Sequence, residues 1–227
     1  SMGFAPAALA IAVYDATAEF TLTLTNVTGA DGAQITSGWD VTASGNGVVF
    51  LNDSGDASAT GSISVIDPPV SMSILDSITQ SSTSSGSAAN FDFAATEALT
   101  DLDILVDNFS GQALTFSFDF SAMTDVMTTT VVPGIFSEAS ATVDMLDDLG
   151  AVNIIADAYS MDGNPATGSG DVVGIISFEL MDGEFNLISG FVDSFGSAEA
   201  VPVPAAVWLF GSGLLGLVGI ARRKQAA

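Results

Sequence analysis

The chain has 227 residues, with 27 Asp and Glu, three Lys and Arg, and no His or Cys, for a formal charge of −24. Without His or Cys there is no Cys–His or Ser–His nucleophile pair, no His/Cys zinc site and no disulfide framework. The three cations are adjacent at Arg222, Arg223 and Lys224, so all 27 carboxylates precede them without one opposing side chain, and nucleic acid is excluded as a partner of that region because nothing there neutralises phosphate.

A hydrophobic content of 48% with 15 Phe argues against disorder despite the charge, since acidic disordered chains are poor in such residues. The length fits one large β domain or two small ones. Self-repulsion of the carboxylates predicts a body that gains stability with added salt.

Residues 1–12 are small and apolar, and Ala8-Leu9-Ala10 fits an A-x-A signal-peptidase pattern. They read either as the remnant of a signal peptide or as a tag followed by the first strand. From residue 13 to 200 the pattern has period two. Phe20, Leu22 and Leu24 alternate with Thr21, Thr23 and Thr25; Leu114, Phe116, Phe118 and Phe120 alternate with Thr115, Ser117 and Asp119; Ile176, Phe178 and Leu180 alternate with Ser177 and Glu179. Each run puts one face inward and one to water, as antiparallel sheets require.

Shorter strands are expected at Val48–Leu51, Ser62–Ile66, Ser71–Leu75, Phe91–Ala94, Leu102–Val106, Ala141–Met145, Val152–Ala158 and Phe185–Phe195. They are punctuated by turns such as Ser44-Gly45-Asn46-Gly47, Asp53-Ser54-Gly55 and Asp162-Gly163-Asn164. Ser81–Ala89, all Ser, Thr, Gly and Ala, reads as a loop, and Met145–Leu149 as one helical turn. The expected fold is all-β, an antiparallel β sandwich or jelly roll, followed by a single C-terminal transmembrane helix.

That helix is expected within residues 201–227. Ala205–Ala221 is 17 residues without a charge, about 25 Å long as a helix and a short span for a hydrocarbon core of about 30 Å. Trp208 suits the interface at its outer end, and Arg222, Arg223 and Lys224 form a cytoplasmic stop. Pro202 and Pro204 keep the approach extended.

The succession of Val201, Pro202, Val203, Pro204 and Ala205, the apolar span and the Arg-Arg-Lys end resembles a PEP-CTERM sorting signal in its V-P-x-P-A variant, with Val203 where the commoner form has Glu. The resemblance covers about the last 24 residues. It implies export from a Gram-negative bacterium, transient anchoring in the inner membrane, and processing by an exosortase. It further implies residence at the cell surface or in an extracellular polysaccharide (biofilm) matrix.

Chemistry in the body is limited to oxygen ligands. Asn52-Asp53-Ser54-Gly55-Asp56, the group Asp101, Asp103 and Asp107 with Asn108, and the group Asp144, Asp147 and Asp148 are weak calcium candidates, because calcium takes six to eight oxygens and these stretches are rich in them. None matches an EF-hand loop. Glu179 and Glu184, flanking Asp182-Gly183, are the least implausible carboxylate pair for glycoside hydrolysis; solvated hairpin charges are the usual state of such residues. Trp39, Tyr14 and Tyr159 are the body's few amphipathic aromatics, with Trp39 expected in the core or at its rim. The reading is therefore a non-enzymatic exported structural protein, with a polysaccharide-binding module or adhesin as its rival and a carboxylate-pair hydrolase a distant third. Open sheet edges are the expected route to homo-assembly, with Phe20–Thr25 as the candidate strand.

Overall fold

The computed structural model describes residues 11–89, 92–130, 135–162 and 166–200. They form two antiparallel sheets and no helix. One sheet (sheet A) runs β11 (Ala166–Leu180), β8 (Leu114–Thr130), β1 (Ile11–Gly29), β6 (Ser77–Ala89), β4 (Ser58–Ile63). The other (sheet B) runs β10 (Asn153–Met161), β9 (Phe136–Asp147), β12 (Phe185–Glu199), β7 (Phe93–Asn108), β2 (Trp39–Ser44), β5 (Val70–Ser71). β3 (Gly47–Asp53) also lies on β7, along Ala94–Thr100, while β2 takes Asp103–Asn108.

The alternating strands form these sheets because their Phe, Leu and Val side chains bury on one face while Thr, Ser and Asp meet water on the other. Tyr14, Phe20, Leu22 and Leu24 of β1 meet Phe116 and Phe118 of β8 and Leu102 and Ile104 of β7 in one core. Phe178 stacks on Phe116 and on Phe118 with ring centroids 6.0 Å apart in each case, and Trp39 meets Phe116 edge-on at 6.2 Å. Each such ring stabilises the fold by about 2–3 kcal/mol through burial alone. A bulge at Thr25 shifts the β1–β8 register between Leu24 and Asn26, and its hydroxyl donates to Ser117 O at 2.9 Å. The extra residue keeps Val27 pointing inward beyond it.

Several expectations are corrected. Ser81–Ala89 is not a loop but most of β6, held between β1 and β4. Its inward positions are Gln80, Ser82, Ser84, Gly86 and Ala88, so both faces carry small or polar residues and the period-two signal vanishes. The opposite sheet answers two of them: Ser84 Oγ donates to Ser194 O at 2.7 Å and Gln80 Nε2 to Asp101 O at 3.0 Å, whereas Ser82 Oγ is buried without a hydrogen-bond partner. The space is also needed by Tyr14, fully buried with its hydroxyl 2.8 Å from Thr96 Oγ1. A Cβ on Gly196 would run into the Tyr14 ring, and one on Gly86 into its hydroxyl.

Met145–Leu149 is not a helical turn; β9 continues to Asp147 and then turns. The strand expected at Ser71–Leu75 reduces to Val70–Ser71, because Leu75 takes a left-handed φ of 77° in the turn before β6. The strand begun at Ser62 starts instead at Ser58. β1 opens at Ile11, with Ala12 already in the core. Phe20–Thr25 is no edge: β1 is hydrogen-bonded on both sides, by β6 and β8.

Candidate functional site

The β register sorts every outward side chain into rows. On sheet A the outward face of β6 is Ser77, Thr79, Ser81, Thr83, Ser85 and Ser87, a hydroxyl at each position. These meet hydroxyls on both neighbours: Thr23–Ser77 at 2.7 Å and Thr21–Thr79 at 2.9 Å toward β1; Ser62–Thr83 at 2.7 Å, Thr60–Ser85 at 2.8 Å and Ser58–Ser87 at 3.4 Å toward β4; and Ser64–Ser81 at 3.3 Å beyond it. The result is a ladder of paired hydroxyls on a continuous sheet surface. Each hydroxyl retains lone pairs for a further donor after this pairing.

Beside this ladder, toward β11, the face becomes acidic. Asp15, Asp125, Met127, Thr167, Gly168 and Ser169 line a shallow pocket of about 390 Å³ with Val126 at its base. Burial raises the Asp15 carboxyl above its ordinary value. Glu19, Asp119 and Asp171 continue the acidic rows on β1, β8 and β11.

On sheet B the outward face mixes carboxylates with apolar side chains. One row reads Asp157, Thr142, Asp193, Leu99, Val48; the next Tyr159, Ser140, Phe195, Glu97, Phe50; on the other side of the first lie Ile155, Asp144, Phe191 and Asp101. Asp193 therefore stands between Phe191 and Phe195 on its own strand. Burial, and then the nearby Glu97 carboxylate, push it up to about 6, against a hydrogen bond from the Ser194 backbone that lowers it. Asp193 Oδ1 and Asp144 Oδ1 are buried without a hydrogen-bond partner.

The acidic candidates are spread along these rows. Asp101, Asp103 and Asp107 alternate along the outward face of β7, opposite Phe191, Ser189 and Phe185 respectively. Asn108 points the other way; its Nδ2 donates to Gln112 O and Leu180 O, each at 2.8 Å. Asp53 ends β3, whereas the Asp56 N–H donates to Asp92 Oδ2 at 3.0 Å, so Asp92 is the carboxylate that organises this turn. Asp147 is spent on local structure, accepting from Val152 N and from Asn186 Nδ2, each at 2.8 Å. Asp144 lies on the outer face of β9 between Ile155 and Phe191, and Asp148 is exposed in the following turn. Among the described residues no three Asp or Glu gather where one metal ion could join them.

Glu184 is likewise engaged, its Oε2 accepting from Met181 N at 2.8 Å, while Glu179 lies exposed on β11 opposite Thr115. One closes a turn and the other faces water. Trp39 sits at the core rim, with Nε1 donating to Ile35 O at 3.0 Å. Tyr14 is interior and Tyr159 exposed. Val201, Pro202, Val203, Pro204 and Ala205, the apolar span and Arg222, Arg223 and Lys224 lie outside the described residues.

Two features went unread in the sequence. The hydroxyl ladder was signalled by Ser or Thr at every second position from Ser77 to Ser87, in the same phase as Thr17, Thr21 and Thr23. The Asp193 setting had no linear signal, because Glu97, Leu99 and Thr142 reach it from other strands. Comparison with family models, curated proteins and solved structures finds no match for this chain.

Proposed function

We propose that this chain is an exported, non-enzymatic structural protein of a bacterial cell surface or extracellular polysaccharide matrix, delivered as a membrane-anchored precursor and released by an exosortase. The observation that carries it is the division of charge: an acidic, cation-free β body ahead of Val201-Pro202-Val203-Pro204-Ala205, an apolar span and a terminal Arg222-Arg223-Lys224. A cluster of cations after such a span holds that end in the cytoplasm and sends the body across the membrane. The apolar span is read as a transmembrane helix and the body as a sandwich close to the jelly-roll kind.

The body suits passive residence outside the cell. Its described residues contain no Lys or Arg, hence no trypsin-type cleavage position. The carboxylates on both outer faces hold counter-ions, calcium among them, at the surface rather than in a closed cage. Expression beside an active or an active-site-dead exosortase tests the reading. Loss of the tail mass only with the active enzyme supports it; identical mass in both strains contradicts it.

The hydroxyl ladder favours a second reading, polysaccharide binding across β1, β6 and β4. Paired Ser and Thr hydroxyls in rows offer donors and acceptors to successive sugar hydroxyls without a cleft. A glycan array separates the two: binding abolished by Thr79→Val with Thr83→Val supports the module, and no binding leaves the structural role.

A further inference from the structure

We infer that β11 is a self-association edge, along which a second copy of this chain pairs antiparallel through residues 171–177, centred on Gly174. The inference is independent of where the chain is delivered. β11 ends sheet A with only β8 beside it. It runs fifteen residues, against six for β4 at the other end of that sheet and two for β5 at one end of sheet B. Of the other edges, β3, paired only with β7, is seven residues long, and β10 is nine residues long and carries Asp157 at its centre, with the backbone around Asp157 and Tyr159 already packed against Gly170 and Gly168. At Gly174, by contrast, the three atoms nearest to an added Cβ all belong to Phe120 of β8.

Beyond it lies Val172-Val173-Gly174-Ile175-Ile176, with neither Pro nor charge and no register shift against β8. Natural edge strands are protected by such features, and a long unprotected β-branched edge is a template for another strand. Val173 and Ile175 are each 73% exposed, with only Ser121 and Asp119 opposite them on β8. Their outward side chains gain little cover from the protomer's own strands.

The charges select the occupant and the register. Two copies related by a two-fold axis at Gly174 place Val173 opposite Ile175 of the other copy, Ile175 opposite its Val173, and Asp171 opposite its Ser177. The four apolar side chains then form one patch across the seam, and no carboxylate meets another. Moving the axis to Ile175 sets Asp171 against Glu179, which like-charge repulsion disfavours. Moving it to Val173 leaves Ile175 opposite Asp171. A two-fold, self-complementary contact of this kind closes as a dimer and joins two five-stranded sheets into one. With so many carboxylates on each copy, pairing strengthens as salt screens the repulsion.

The absence of native cysteine makes the register directly readable. Full-length chains carrying Val173→Cys and Ile175→Cys are mixed under mild oxidation at low and high salt, with Leu75→Cys, exposed in a turn, as the collisional control. Cross-linking between the two different variants is expected to exceed that of either variant alone, and of the control, by about fivefold or more, and to rise with salt. Full-length Ile175→Lys is expected to lose at least about tenfold in self-affinity by analytical ultracentrifugation while keeping the far-UV spectrum of the parent. Cross-linking no greater than the control, equal yields in every combination, or unchanged self-affinity in Ile175→Lys would each overturn the inference. Each of those results leaves the export reading untouched, since no exosortase enters the assay.

Discussion

Replacing Asp193 by Asn is expected to stabilise the protein at neutral pH and to do nothing in acid. Asp193 lies on the outer face of β12 with Phe191 and Phe195 beside it and Leu99 and Thr142 across from it. Burial, and then repulsion from Glu97, raise its carboxyl from 3.8 to about 6. Below about pH 4 the group is neutral in both folded and unfolded chains, and its contribution is fully present. Between about 4 and 6 the folded protein holds the proton and the unfolded chain releases it, so stability falls as pH rises, and above about 6 the loss is complete. A shift of this size corresponds to roughly 3 kcal/mol undiscounted, and screening by solvent at a partly exposed outer face reduces that to about 1–1.5 kcal/mol. Asn keeps the shape without the charge. Urea unfolding at constant ionic strength should show Asp193→Asn more stable than the parent by about that amount at pH 8 and equal to it within about 0.5 kcal/mol at pH 4. An equal gain at both pH values, or a loss at pH 8, would refute the assignment of the penalty to the ionised group.

Gly196→Ala should destabilise by about 1–3 kcal/mol or prevent folding, because the added methyl meets the Tyr14 ring inside a packed core; thermal unfolding reads the difference. Tyr14→Phe should cost about 1 kcal/mol in the same measurement, since it leaves Thr96 Oγ1 without its 2.8 Å partner in the interior. Leu75→Gly should raise stability by up to about 1 kcal/mol, because it relieves a left-handed backbone at a side chain that is 74% exposed and buries little. The melting temperature should rise with sodium chloride, and isothermal titration should show no saturable calcium site in the body, since the described carboxylates are spread along strand faces.

The long strands were legible because their inward residues are large. Phe20, Leu22, Leu24, Phe116 and Phe118 announce an inner face to any period-two reading, and the structure buries every one of them. β6 was illegible for the opposite reason. Its inward Ser84 meets Ser194 and its inward Gly86 lies against Tyr14, where a larger residue would not fit, and only the three-dimensional partner explains a strand without a hydrophobic face. Leu75 misled by residue type: Leu favours regular structure, yet the chain must reverse there to bring Ser77 opposite Thr23.

The acidic groupings are close in sequence but spread in space, because spacing along a strand places alternate residues on one face about 7 Å apart rather than around a point. Asp101, Asp103 and Asp107 therefore form a stripe. The hydroxyl ladder could have been found by comparing phase between Thr17–Thr23 and Ser77–Ser87, although their pairing needed the register. Asp193 belongs wholly to tertiary structure, as its neighbours come from β7 and β9.

Mass spectrometry of the native protein recovered from the outside of the producing cell tests the export and processing account most directly. The account predicts an intact β body whose last residue falls near Val201–Ala205, with Arg222, Arg223 and Lys224 gone. Recovery of the protein from the cytosol with Arg222–Lys224 still attached would contradict it.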